Sequence, residues 1–121
     1  EKKLIKYFLK KKKPMMFVCR GMQLISTINK SKLIKIKNHV IKNHKIIMKN
    51  GKFLNVNSYH NYSFDKIPKG FSAIAKHSRD NSIEIMDNKP KKMLCLMFHP
   101  ERKSKNQKEV DKIFTSFFKL K

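Results

Sequence analysis

An α/β fold is predicted for this chain, with parallel central strands and a hairpin-rich insertion. Three observations predict it. Two runs, Met15–Val18 and Met93–Phe98, are apolar at every position, as suits strands covered on both faces. Between them lie stretches that alternate apolar and polar, as strands with one face on a core do. Amphipathic helical patterns stand at both ends of the chain and directly after the first apolar run.

Residues 2–12 carry Leu4, Ile5, Phe8 and Leu9 at helical spacing, and Lys13-Pro14 stops that helix because the residue before proline is pushed out of the α region. Met15–Val18 is a short buried strand. Residues 21–29 place Met22, Ile25 and Ile28 on one helical face. Residues 31–41 are basic and ambiguous. His44–Met48 and Phe53–Val56 read as strands on either side of Asn50-Gly51, a strong hairpin dipeptide. Residues 57–65 are polar and aromatic and read as a loop. Phe71–His77 and Ser82–Met86 alternate, with Arg79-Asp80-Asn81 as the turn between them. Residues 105–120 form a closing helix with Val110, Ile113, Phe117 and Leu120 on its inner stripe.

At 121 residues and 40% hydrophobic content the chain suits one small domain with a true core. No apolar run is long enough to span a bilayer, and residues 1–13 are too charged for a signal-peptide core. The expectation is a soluble, cytoplasmic protein without a membrane partner. Cys19 and Cys95 each sit in an apolar run and are expected to stay reduced. The five histidines are scattered and CxxC is absent, so no metal site is expected. The net charge is +22, but arginine occurs only at 20, 79 and 102, and lysines are spread over the whole length. Readers of DNA sequence place arginine forks on base edges; this pattern fits solvated faces with weak, salt-sensitive polyanion binding rather than specific nucleic-acid recognition. The first residue is Glu1, and a helix is already under way there, so upstream residues are expected to be missing.

The chemistry concentrates at the ends of the two apolar runs. The first ends at Cys19, Gly21 follows two places later, and a helical pattern begins. That is how a strand delivers a nucleophile onto a tight turn at a helix start. The second ends in Phe98-His99-Pro100-Glu101. A thiol attacks as thiolate and needs a base, a helix N-terminus, or both. His99 supplies a base, Glu101 a carboxylate to fix its tautomer, and the Arg20 N–H lies where an oxyanion would develop. Cys95, inside its run, reads as an inert core thiol. His39, His44 and His77 are expected to play no chemical part.

Four segments occur in one order: Cys19-Arg20-Gly21-Met22-Gln23-Leu24-Ile25, Val56-Asn57-Ser58-Tyr59-His60-Asn61, Ser82-Ile83-Glu84 and Met97-Phe98-His99-Pro100-Glu101-Arg102. Together they resemble the class I glutamine amidotransferase superfamily, in its gamma-glutamyl hydrolase-like branch, peptidase family C26. Short members of that branch linked to bacterial surface-polysaccharide synthesis are also similar. The resemblance runs from Lys2 to Arg102. It implies a flavodoxin-like three-layer fold, here N-terminally truncated, with an antiparallel hairpin region, the whole chain forming one partial domain. It implies a Cys19–His99–Glu101 triad and a gamma-glutamyl thioester on Cys19. It further implies that Gly21 and Gln23 help hold the glutamyl group and that main-chain groups of Ser58, Tyr59 and His60 face its amino-acid end. The implied substrate is glutamine or a gamma-glutamyl small molecule, with no metal or organic cofactor, and the implied partner a synthase or the missing N-terminal half.

Two departures from the family pattern stand out. Phe17 occupies the position where the family elbow has glycine. The upstream strands, and the glycine-rich loop that supplies a second oxyanion donor, are absent from this sequence. Alternatives are therefore a catalytically inactive truncated homologue or accessory subunit, and a basic polyanion-binding module.

Overall fold

The computed structural model describes residues 2–37 and 40–119. Helix α1 (Lys2–Lys10) lays Ile5, Phe8 and Leu9 against the core and leaves Leu4 and Tyr7 exposed. It closes with Lys12 in the left-handed region at φ 55°, while the N–H of Lys13 reaches back to the Phe8 carbonyl at 3.0 Å, a helix-ending motif that Pro14 then seals. Strand β1 (Met15–Val18) leads into helix α2 (Arg20–Ile28), which buries Met22, Ile25 and Ser26.

Six strands form the main sheet. Besides β1 these are β3 (Val40–Met48), β4 (Phe53–Tyr59), β6 (Ser72–His77), β7 (Ile83–Asn88) and β8 (Met93–Leu96), in the order β1-β8-β7-β6-β3-β4. Strands β2 (Leu33–Lys35) and β5 (Tyr62–Phe64) make a separate antiparallel pair. Helix α3 (Gln107–Phe118) closes the described chain.

Among the described residues only β1 and β8 run parallel, with Met15 opposite Met93 and Val18 opposite Leu96; the other pairings in the sheet are antiparallel. The expected central parallel strands thus reduce to one pair, with β1 at the sheet margin. Asn50-Gly51 makes its hairpin between β3 and β4, with Gly51 at φ 89° and the Asn50 side chain accepting the Lys52 N–H. The 79–81 turn joins β6 and β7, with Asn81 at φ 61°.

The core has two parts, one on each face of the sheet. Met93, Cys95 and Met97 join Phe17, Met22, Ile25 and Met86 beneath α1 and α2. Leu94, Leu96 and Phe98 join Ile46, Val56, Ile85 and Val110 beneath α3. Successive residues of β8 thus bury on opposite faces, which is why its sequence is apolar throughout.

One expectation needs correction, and one open stretch is assigned. Residues 57–65 are not a loop: β4 runs on to Tyr59 and β5 begins at Tyr62. The ambiguous basic stretch supplies β2, whose partner is that same β5. Glu84, on the polar side of the alternation, is fully buried, with His44 and His60 against its carboxylate. His39 and Leu120 lie outside the described residues.

Candidate functional site

The β1–β8 register carries the two chemical segments to the same end of the sheet. One residue beyond the Val18–Leu96 pair, the Cys19 N–H donates to the Leu96 carbonyl at 2.7 Å, and the Cys19 carbonyl accepts from Gln23 N–H at 3.0 Å. Between these anchors Cys19 takes φ 51° and ψ −102° as the residue that caps α2. A side chain in this region is strained, and such strain persists only where surrounding bonds fix it. Phe17 does not prevent the elbow. Its ring is buried in the core beneath α2, and its Cβ lies 3.5 Å from where a Cβ on Gly21 would sit, ordinary contact distance.

On the neighbouring strand the Met97 N–H donates to the Glu84 carbonyl at 2.8 Å, and the chain then leaves regular structure. His99 Nδ1 lies 2.8 Å from Glu101 Oε2. With Nδ1 protonated toward the carboxylate, Nε2 of a neutral ring is the basic nitrogen. The Tyr59 ring meets His99 edge-on at 5.8 Å between centroids, and the Arg102 guanidinium lies 4.5 Å over the same tyrosine.

Burial pushes the Cys19 thiol above its ordinary range. The Arg20 N–H, hydrogen-bonded to the sulfur, works against that rise; the buried Glu84 carboxylate adds to it, and the Arg102 and Arg20 charges oppose it. For Glu101, burial would raise the carboxyl, but its own backbone N–H, the His99 hydrogen bond and the charges of His99 and Arg102 outweigh that and hold it below the usual range.

The other expected site residues are placed as follows. Gln23 Nε2 donates to the Tyr62 carbonyl at 3.0 Å and lies 3.9 Å from the Met97 sulfur, tying α2 to β5 and to the residue just past β8. Ser58 and His60 have buried side chains, 3.5 Å apart at Oγ and Nδ1, whereas Tyr59 is exposed. In segment 58–60, therefore, Tyr59 alone is exposed.

Two buried polar residues have no assigned part in the sequence reading. Glu84 has His44 Nε2 at 3.1 Å and His60 Nε2 at 3.8 Å, with the His77 ring 4.6 Å from that of His44. Asn57, also fully buried, bonds the main chain of His99.

A groove of about 520 Å³ runs along the free side of β1, lined by Leu4, Met16, Val18, Arg20 and Gly21 among others. A larger cavity of about 620 Å³, lined by His44, His77 and Arg79 among others, includes neither Cys19 nor His99. Among the described residues no group of three or more His, Cys, Asp or Glu side chains is arranged to hold a metal, and no helix is long and apolar enough to cross a membrane.

A thiol on a strained strand-to-helix turn, an N–H beside it, and an imidazole braced by a carboxylate are the parts of nucleophilic acyl transfer. Comparison with known proteins agrees in kind. The family model for glutamine amidotransferase class-I matches residues 1–120. A gamma-glutamyl-CDP-amidate hydrolase from Campylobacter jejuni is 31% identical over 104 residues, covering 86% of this chain and 50% of that protein. An anthranilate synthase component 2 from Helicobacter pylori is 32% identical over 100 residues, covering 76% of this chain and 50% of its own. A glutamine amidotransferase structure from Thermotoga maritima superposes with a TM-score of 0.70 at 21% identity, covering 97% of this chain and 51% of that one. The chain thus spans about half the length of these relatives.

Proposed function

Because this chain belongs to the class I glutamine amidotransferase family, we propose that it hydrolyses the side-chain amide of glutamine or of a gamma-glutamyl compound through a thioester on Cys19. Residues 1–121 form part of that family's domain and work with a remaining half or a synthase partner. The observation that carries this reading is the parallel register Val18–Leu96, extended by the Cys19 N–H bond to Leu96. It sets the elbow beside the strand that leads, past Leu96, to the bonded His99–Glu101 pair.

Cys19 Sγ attacks the amide carbonyl carbon as His99 Nε2 takes the thiol proton. The oxyanion forms beside the Arg20 N–H, which the sulfur gives up. Collapse of the tetrahedral intermediate breaks the C–N bond, and His99 hands its proton to the departing amine or ammonia. Water then attacks the thioester, His99 takes its proton, and the sulfur leaves with it. Because burial keeps the free thiol protonated, proton removal belongs to the attack itself, so a positioned base is required. Glu101 holds Nδ1–H and orients the ring. Gly21, Gln23 and the main chain of Ser58, Tyr59 and His60 bind the glutamyl portion.

Cys19→Ala tests the reading. It is expected to abolish hydrolysis of gamma-glutamyl-p-nitroanilide and leave the circular dichroism unchanged; equal rates for variant and parent would end it. A second reading, a catalytically inactive homologue, is favoured by the burial-raised thiol. It expects a folded parent that neither releases p-nitroaniline nor forms an acyl-enzyme by mass spectrometry.

A further inference from the structure

The segment that carries His99 has no regular structure between Leu96 and Gln107. A base mounted on an irregular loop is imprecise unless something fixes its backbone. A single buried side chain does so. Asn57 Oδ1 accepts the His99 N–H at 2.8 Å, and Asn57 Nδ2 donates to the His99 carbonyl at 2.8 Å. One amide group thus spans both main-chain polar groups of the same residue. Nδ2 also lies 3.1 Å from the Arg102 carbonyl and 2.9 Å from Ser104 Oγ, which itself accepts the Asn57 N–H at 3.1 Å. Oxygen toward a donor and nitrogen toward three acceptors is the only amide orientation this network allows.

We propose that Asn57 is the positioning residue for the proposed general base, fastening the His99–Ser104 turn to the end of β4. The proposal rests on the reading of His99 as that base. Without the amide the turn keeps its own Arg102 N–H to His99 carbonyl bond at 3.1 Å and the Ser104 Oγ bond from the Asn57 main chain, but the His99 N–H loses its acceptor, and the imidazole moves together with Glu101. A misplacement of about 1 Å costs on the order of a hundredfold in rate.

Ser104 provides the control. Ser104→Ala removes buried hydrogen bonds from the same network but leaves both Asn57–His99 bonds intact. In the full chain acting on gamma-glutamyl-p-nitroanilide, Asn57→Ala is expected to lower kcat by roughly thirty- to a hundredfold with KM within about threefold. Ser104→Ala is expected to lower the thermal midpoint while kcat stays within about threefold. In 15N-histidine spectra the His99 ring signals move in Asn57→Ala and hold in Ser104→Ala. Should Asn57→Ala fail to fold, Asn57→Asp, which keeps an oxygen for the His99 N–H but loses the donors, carries the same comparison. A folded Asn57 variant with parental kcat and unchanged His99 signals overturns the proposal, as do equal kcat losses in the Asn57 and Ser104 variants. Failure of the underlying catalytic reading looks different: hydrolysis is absent from the parent or survives His99→Ala, while the His99 signals still report whether Asn57 holds the turn.

Discussion

Glu101 illustrates how a half-exposed side chain can matter. Its carboxylate touches the His99 ring at 2.8 Å while more than half of its surface remains in water. Solvent screening makes such a pair worth little to stability, so its value lies in fixing which imidazole nitrogen is basic. Glu101→Gln keeps the shape, removes the charge and permits the wrong tautomer. Steady-state hydrolysis is expected to show kcat lowered about a hundredfold with KM little changed, and stability nearly parental. A large stability loss with intact kcat would assign the carboxylate a structural part instead. The elbow makes a complementary point. Cys19 holds its left-handed backbone with a hydrogen bond on each side, so the strain is met by local bonds rather than by a glycine.

Strand β8 and helix α3 form the scaffold of the site at the next scale. Val110 is 1% exposed and lies in the core formed by Leu94, Leu96 and Phe98, with Ile113 and Phe117 packed at its edge. Val110→Ala leaves a cavity of two methyl groups and is expected to cost about 2 kcal/mol in a denaturant titration, with the m-value unchanged. These elements were legible because their signals are local. Met93–Leu96 is apolar at every position, and Val110, Ile113 and Phe117 recur at helical spacing. Cys19, His99 and Glu101, the proposed triad, stand out in the sequence for the same reason, since each sits where an apolar run breaks off. Asn57 and Glu84 were not. Alternation tells which face a side chain takes, but not whether the sheet curls so that the end of β4 meets the end of β8. Asn57 becomes a clamp only through partners more than forty residues away. The 57–65 stretch misled because Asn57, Ser58, His60 and Ser63 are buried rather than turned to water, and its pairing with β2 is non-local.

The molecule as a whole carries +22 charges at neutral pH, and self-repulsion of that size opposes compaction. Titration then bounds the stable range on both sides. The Asp65 carboxyl is lowered first by the Lys32 N–H, and Glu101 is lowered net of its burial. A group depressed in the folded state stabilises above its unfolded pKa, and that contribution is lost as pH falls through the folded value. Acidification below about pH 4 therefore removes these contributions while it raises the net charge further. Cys95 acts in the opposite sense. Burial, with a smaller push from Asp87, raises its thiol far above the ordinary range. A thiol raised in the fold contributes fully below its unfolded pKa, and stability falls as pH climbs past about 8.5, by up to about 1.4 kcal/mol per pH unit. Unfolding free energies should thus show a plateau between about pH 5 and 8 that falls on both sides. Added salt should lift the acid limb most, where the net charge is highest and its repulsion is screened, and leave the slope of the alkaline limb nearly unmoved, because a buried neutral thiol has no surface charge to screen. Cys95→Ala should lower the plateau and flatten the alkaline limb. An alkaline slope unchanged in that variant would show that other groups govern it.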